Sequence, residues 1–126
     1  MTKQISSTSF TMSLNETEKK FIYTDEQLMK RFQEGDKNAY SELVNRYTDK
    51  LINFIYNYVG DIDSAEDIVQ DTMIKLYQKK HYYKEIAKFS TWLYTIAKNL
   101  ANTELRKRKQ RKTTLLSQLS KEGTNF

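Results

Sequence analysis

Two short segments of the sequence concentrate charge of opposite sign. Residues 61–71, DIDSAEDIVQD, hold five acidic positions and no basic one, whereas residues 98–112 hold seven basic positions and one acid, Glu104. Carboxylates at this density suit a basic protein groove, and clustered Lys and Arg side chains suit the phosphates of a nucleic acid. The two segments therefore point to two different binding surfaces.

The acidic segment has the spacing of a polar strip along a helix. Asp67 and Asp71 lie four residues apart, as do Glu66 and Gln70, so each pair stacks on the helix surface. A favourable interaction with the helix dipole explains acids in a first turn but says less about the second turn. A calcium loop is a weaker interpretation, because the loop glycine and the final glutamate are missing. On spacing alone, a solvated face and a protein-docking strip are equally open.

Aromatic and polar side chains come just before the basic segment. Rings beside cations are the ingredients of a single-strand binding surface, where bases stack and phosphates are neutralised. The same rings could instead be core residues, since most aromatic residues at helical spacing are buried. The side chains concerned are His81, Tyr82, Tyr83, Trp92, Tyr94 and Asn99.

Composition argues against an enzyme. The chain has no cysteine and a single histidine, His81, with no obvious acid–base partner, and it has no glycine-rich phosphate loop. We therefore expect no catalytic residue, no metal and no cofactor. The sequence also lacks an apolar run of about 20 residues and a signal-peptide core, so we expect a soluble, cytoplasmic protein that does not bind membranes.

The chain length and composition predict one small helical domain. Its 126 residues include three glycines and no proline, and 29% of them are charged. This favours an all-α fold, a compact bundle of about four helices. We expect a flexible leader over residues 1–23, the folded domain over 24–112, and a tail over 113–126 that extends the last helix or begins a linker.

Capping residues predict where the helices begin and end. A side chain that accepts from the first backbone N–H groups favours a start, and glycine favours an end. The predicted starts are Thr24 with Gln27 as a capping box, Asp36, Ser64 or Asp63, and Ser90 with Phe89 and Tyr94 as a hydrophobic staple, and the predicted ends are Gly35 and Gly60.

Apolar residues at three- and four-residue spacing predict the buried faces. Burying one Leu or Ile contributes about 1.5–3 kcal/mol, so a dozen such residues can offset much of the cost of ordering the chain. The predicted core is Leu28, Met29, Phe32, Tyr40, Leu43, Val44, Tyr47, Leu51, Phe54, Ile55, Tyr58, Ala65, Ile68, Val69, Met73, Leu76, Leu93, Ile96, Ala97, Leu100 and Leu105.

Three motifs in series resemble one known family. GDKNAYSELVNRY, DSAEDIVQDTMIKLY and STWLYTIAKNLANTELRK occur in this order, at the separations typical of region 2 of bacterial extracytoplasmic-function sigma factors. The resemblance covers residues 25–112. It departs from the family at Thr95, where a basic residue is usual. The family also has a second domain, with a helix-turn-helix for the −35 element, so we expect a fragment or a naturally short protein.

The resemblance implies a polymerase-docking role for the acidic segment. In the family, the third helix docks on the clamp helices of the polymerase β′ subunit. Carried over to this sequence, the docking residues are Glu66, Asp67, Gln70 and Asp71.

The resemblance also implies that the loop and the fourth helix bind the −10 element of promoter DNA. Tyr83 and Asn99 match residues that line a pocket for a flipped base of the non-template strand, and Trp92 matches an aromatic residue where the strands separate. The predicted phosphate contacts are Arg106, Lys107, Arg108 and Lys109.

Two alternatives stay open at this stage. One is a truncated interaction module that binds polymerase or an anti-sigma protein without directing initiation. The other is a basic helical DNA-binding bundle unrelated to polymerase. The acidic segment separates them, because a protein that only bound duplex DNA would have no function for an acidic strip.

Overall fold

Four α-helices and one short 3-10 turn make up the part of the chain that the computed structural model describes, residues 23–123. No strand occurs in this range, which confirms the predicted all-α fold of about four helices. The predicted leader lies, except for Tyr23, outside the described residues. The elements are α1 (Asp25–Gln33), α2 (Lys37–Val59), α3 (Ile62–Gln78), the turn Lys80–Tyr82 and α4 (Phe89–Gly123).

The first two helices begin and end where the capping residues predict. At the start of α1, the Gln27 backbone N–H donates to Thr24 Oγ1 at 3.1 Å, and the Thr24 N–H donates to Gln27 Oε1 at 2.9 Å. Asp36 accepts from the first N–H groups of α2. Gly35 and Gly60 have φ angles of 107° and 82°, the left-handed region that glycine adopts without a Cβ clash.

The predicted start of α3 is wrong by a few residues. Ser64 and Asp63 were the expected caps, but both lie inside the first turn, and the cap is Asp61. Its carboxylate accepts from the Ser64 N–H at 2.9 Å. Because Gly60 ends α2 in the left-handed conformation, the next residue is already extended and can serve as the cap, so the connection is shorter than predicted.

The predicted start of α4 is also wrong. Ser90 was the expected cap, with Phe89 and Tyr94 as a staple, but the helix begins at Phe89. The Phe89 N–H donates to Glu26 Oε2 of α1 at 2.9 Å, so a carboxylate distant in the sequence accepts from the helix end. Phe89 itself is a core residue, fully buried against Tyr47 and Tyr83.

The core lies between all four helices, and α2 contacts each of the other three. Most predicted core positions are buried or partly buried, including Leu43, Leu51 and Leu93 at 0% exposure. Tyr58 is an error, since its side chain is 36% exposed, and the neighbouring Val59 takes the buried position.

The last helix runs well beyond its packed part. Every residue from Lys109 to Glu122 is exposed, so α4 continues past the predicted domain boundary at residue 112 as a solvated rod. Between residues 23 and 123, none of the helices combines the length and the apolar character needed to cross a membrane.

Candidate functional site

The outer face of α3 carries the predicted acidic strip. Glu66, Asp67, Gln70 and Asp71 are all exposed, whereas the apolar residues between them are buried. Within the described residues, Asp67 and Asp71 form no hydrogen bond or ion pair through their side chains. Rigid helical packing thus presents unpaired carboxylates to solvent, which is what a basic partner surface requires.

An apolar groove borders this strip. It has a volume of about 420 Å³ and lies between α2 and α3, with Glu66 and Gln70 on one wall. Ile74, 52% exposed, and Met73 contribute to its apolar lining. The strip therefore has the anatomy of a protein interface, with charged groups beside an apolar surface.

The loop between α3 and α4 is held by α1 at both ends. The Gln33 side-chain amide donates to the carbonyl oxygens of Lys80 at 2.7 Å and of Tyr83 at 3.2 Å. At the far end, Glu26 accepts from the Phe89 N–H. Because both anchors come from one short helix, the shape of the loop depends on α1.

Tyr83, whose predicted role is to line the pocket for a flipped base, is covered within the loop. Its side chain is only 5% exposed, its ring packs on Phe89 and Trp92 with centroids 5.8 and 5.3 Å away, and its hydroxyl donates to the Ala87 carbonyl oxygen at 2.6 Å. Burial and the nearby Glu26 carboxylate raise the pKa of the Tyr83 phenol. A ring this covered supports the loop from inside, and its part in lining a base pocket stays a prediction.

Two other loop side chains are exposed in place of Tyr83. Tyr82 is 74% exposed, with the Lys79 ammonium 5.9 Å from its ring centre, and Ile86 is 97% exposed. Large apolar groups at this exposure on an anchored loop are candidates for contact with a ligand. The sequence indicates both Tyr82 and Tyr83 as candidate contacts, but it does not indicate which of the two rings is exposed.

Trp92 and Asn99 share one face of α4. They are seven residues apart, about two helical turns, so their side chains project in nearly the same direction. Trp92 is half-buried against Tyr83 and Phe89, and Asn99 is exposed. This face thus places an aromatic ring and a free amide in one line.

The structure places Arg108 differently from the other predicted phosphate contacts. Its guanidinium donates to the Val59 carbonyl oxygen at 2.7 Å, to Asp61 at 2.7 Å, to Ser64 Oγ at 2.8 Å and to Glu104 at 2.9 Å. These bonds tie α4 to the junction of α2 and α3. With four of its five N–H donors used inside the protein, Arg108 has a structural role, and its predicted phosphate contact stays a prediction.

The Arg108 network shifts the pKa values of its members. The pKa of Asp61 lies below its ordinary value because the carboxylate accepts from the backbone N–H and the hydroxyl of Ser64 and from Arg108. The pKa of Glu104 is lowered chiefly by its hydrogen bond from Arg108, and these partners raise the pKa of Arg108. The network is therefore fully charged at neutral pH.

The free cations of the basic segment flank Arg108. Arg106, Lys107 and Lys109 are exposed, and none of them forms an ion pair within residues 23–123. Arg111 reaches Glu104 at 3.2 Å. Three of the four predicted phosphate contacts are thus available to an anionic ligand.

Similarity to known proteins extends over the same helices. The profile of the family described as Sigma-70 region 2 matches residues 43–111. The RNA polymerase sigma factor SigW of Bacillus subtilis, of the ECF type, is 38% identical over 81 residues, 64% of this chain and 43% of that protein. The sigma-H factor of Pseudomonas aeruginosa is 40% identical over 81 residues. The chain spans less than half the length of these curated relatives.

One solved structure is similar over most of the described helices. It is the NMR structure of an engineered region 2 of sigmaE in complex with GTAAAA. The TM-score is 0.64 at 38% identity, and the match covers 71% of this chain and 93% of that one.

Proposed function

Because the chain belongs to the Sigma-70 region 2 family, we propose that it binds the core of bacterial RNA polymerase and the separated strands of the promoter −10 element. The family match confirms the prediction of a transcription-factor module that is not an enzyme. It also favours polymerase as a partner over the alternative of a DNA-binding bundle unrelated to polymerase. The cytoplasm, where the bacterial chromosome lies, is the proposed location.

The observation that carries this proposal is the pair of opposite surfaces on one rigid bundle. Exposed carboxylates line α3, and free cations line the middle of α4. An acidic strip that bound DNA directly would repel phosphates, so its partner is a basic protein surface. We assign it to the β′ clamp helices, with Glu66, Asp67, Gln70 and Asp71 as the contacts.

We assign the DNA strand to the loop and the adjoining face of α4. The engineered region 2 of sigmaE, which forms a complex with GTAAAA, supports single-stranded DNA as the ligand. Asn99 is placed to read the edge of an unstacked base, and Trp92 stands where the strands part. Tyr82, with its exposed ring, takes the stacking role, while Tyr83 supports the loop from the core.

Base extrusion is energetically feasible on such a surface. Removing a base from the stack costs a few kcal/mol, and stacking on an aromatic ring returns about 1–3 kcal/mol per base. Phosphate contacts from Arg106, Lys107 and Lys109 add favourable free energy by releasing counterions. The chain's own aromatic and cationic side chains can thus hold separated strands without a nucleotide cofactor.

The test is a pull-down of bacterial core RNA polymerase by the full chain, beside the double variant Asp67→Ala/Gln70→Ala. We expect the chain to retain polymerase and the double variant to lose most of it with its helical content unchanged. The control pair Asp49→Ala/Asn53→Ala alters one acid and one amide exposed on α2. Equal retention by all three proteins would overturn the docking assignment.

A further inference from the structure

A second aromatic and cationic surface lies on a neighbouring face of α4, in a groove between α2 and α4. The groove has a volume of about 590 Å³. Three rings line it in a row, with centroids 6.2 Å apart for Tyr47 and Tyr94 and 4.9 Å apart for Phe54 and Tyr94. Phe54 and Tyr94 are only partly buried, so part of each ring faces the open groove.

Two lysines stand at the edges of this groove. Lys50 of α2 and Lys98 of α4 are both exposed, and the Lys50 ammonium lies 5.5 Å from the centre of the Tyr47 ring. Among the described residues that line the groove, none is acidic. Asp25, a carboxylate in contact with a lining residue, accepts from the Tyr47 hydroxyl and is paired with Arg46 at 3.0 Å. The open side of the groove is therefore cationic.

The groove adjoins the proposed DNA surface. Its α4 wall runs from Thr91 to Lys98, the direct sequence neighbours of Trp92 and Asn99. At about 1.5 Å per residue this wall is roughly 10 Å long, the length of about three nucleotides at the 3.4 Å spacing of a stacked strand. Because adjacent residues of a helix project about 100° apart, a strand leaving Trp92 or Asn99 would reach this wall by passing to the neighbouring face of α4.

We infer that this groove binds about three further nucleotides of single-stranded DNA, adjacent to the segment held by the loop. The Lys50 and Lys98 ammonium groups contact phosphates, and the exposed parts of Phe54 and Tyr94 contact bases. Rings flanked by cations, with no competing acid, are the features by which proteins hold single strands without reading their sequence. The inference rests on the proposed function and extends its DNA footprint to α2.

The experiment compares two DNA lengths on the full chain. GTAAAA and the same hexanucleotide carrying three thymidines, at the 5′ end in one probe and at the 3′ end in another, are titrated into isotope-labelled protein and followed by NMR. We expect one extended probe to bind about tenfold more tightly, with shifts in the amide signals of Thr91, Thr95 and Lys98. Its salt dependence should be steeper by about 1.4 log–log units, since two phosphates at about 0.7 each are added.

Variants locate the gain. Lys50→Gln/Lys98→Gln should abolish both the gain in affinity and the steeper slope, and Tyr94→Leu should reduce the gain while Tyr94→Phe keeps it. The control Lys30→Gln/Lys37→Gln, with the same loss of charge at exposed positions on α1 and α2, should keep the gain.

The outcomes separate this inference from the proposed function. Binding of GTAAAA with no gain from either extension, or a gain that survives in Lys50→Gln/Lys98→Gln, would overturn the groove assignment alone. No binding of any probe would overturn the proposed DNA-binding function itself. If Lys50→Gln/Lys98→Gln weakened only polymerase binding, the groove would be a protein contact and the inference would be wrong.

Discussion

In the sequence, the acidic strip of α3 and the basic segment of α4 are both runs of like charge, but in the structure their charged side chains differ in their contacts. On α3, Asp67 and Asp71 point to solvent and are unpaired within the described residues. On α4, the Arg108 guanidinium donates hydrogen bonds to Val59, Asp61, Ser64 and Glu104. A run of like charge in a sequence is therefore not a run of equivalent contacts, because one member can be a structural tie.

Charge reversal on α3 should give the largest effect. In Asp67→Lys/Asp71→Lys, repulsion replaces attraction at the interface, so we expect polymerase affinity to fall at least about a hundredfold. The variant should still bind GTAAAA with an unaltered salt dependence, measured by titration at several salt concentrations. Asp49→Lys, which makes half of this change in charge at an exposed position of α2, is the control. A similar loss of affinity in Asp49→Lys would mean that net charge, and not the strip, governs docking.

Removal of the free cations on α4 should give the next effect. Arg106→Ala/Lys107→Ala/Lys109→Ala should lower the log–log salt slope of single-strand binding by about 2 units, from three phosphate contacts at about 0.7 each. Arg108→Ala alone should leave this slope nearly unchanged. If Arg108→Ala lowered the slope as much as Arg106→Ala, Lys107→Ala or Lys109→Ala alone, Arg108 would contact a phosphate and would not be only a structural residue.

Loss of the loop anchor should have a smaller effect, confined to DNA. Gln33→Leu removes the two hydrogen bonds to Lys80 and Tyr83, each worth about 0.5–1.5 kcal/mol net. We expect the preference for GTAAAA over a hexathymidine to fall about five- to tenfold in competition titrations. Polymerase affinity should be unchanged, and Asn45→Leu, exposed on α2, is the control. A uniform loss of all binding would instead indicate that the fold had been damaged.

The Arg108 network should leave a mark on acid stability. Its carboxylates have lowered pKa values when folded, so they stabilise the fold above the ordinary values of 3.8 for Asp61 and 4.5 for Glu104. This contribution is lost as the pH falls through the lower folded values. Arg108→Gln should therefore lower the Tm at pH 7, and its deficit should shrink below about pH 4. Thermal unfolding at both pH values measures this, and a constant deficit would contradict the assignment.

Local signals in the sequence are sufficient for most of the fold. Thr24, Asp36, Gly35 and Gly60 act within three or four residues of themselves, so their roles are readable without tertiary contacts. The start of α4 is different. It is satisfied by Glu26, sixty-three residues away, and no pattern near Ser90 announces that partner.

In the candidate site, too, some features follow from the sequence alone and others depend on tertiary contacts. The acidic strip is exposed as predicted, because helical spacing alone decides which side of α3 faces outward. Tyr83 and Tyr82 are adjacent tyrosines, and only packing on Phe89 and Trp92 decides which is buried. Arg108 is likewise distinguished from Lys107 and Lys109 by partners at residues 59–64, not by its neighbours in the chain.

The uninterrupted course of α4 has a consequence for spacing. Without a glycine or proline between Trp92 and Lys107, the fifteen helical steps from one to the other span a fixed length of about 22 Å. Against a stacked single strand this corresponds to about six or seven nucleotides at 3.4 Å each. In the proposed complex the helix would thus act as a ruler, which sets the distance between the base contact at Trp92 and the phosphate contact at Lys107. One inserted residue would lengthen the ruler by only about 1.5 Å but would turn its cationic end by about 100° away from the DNA.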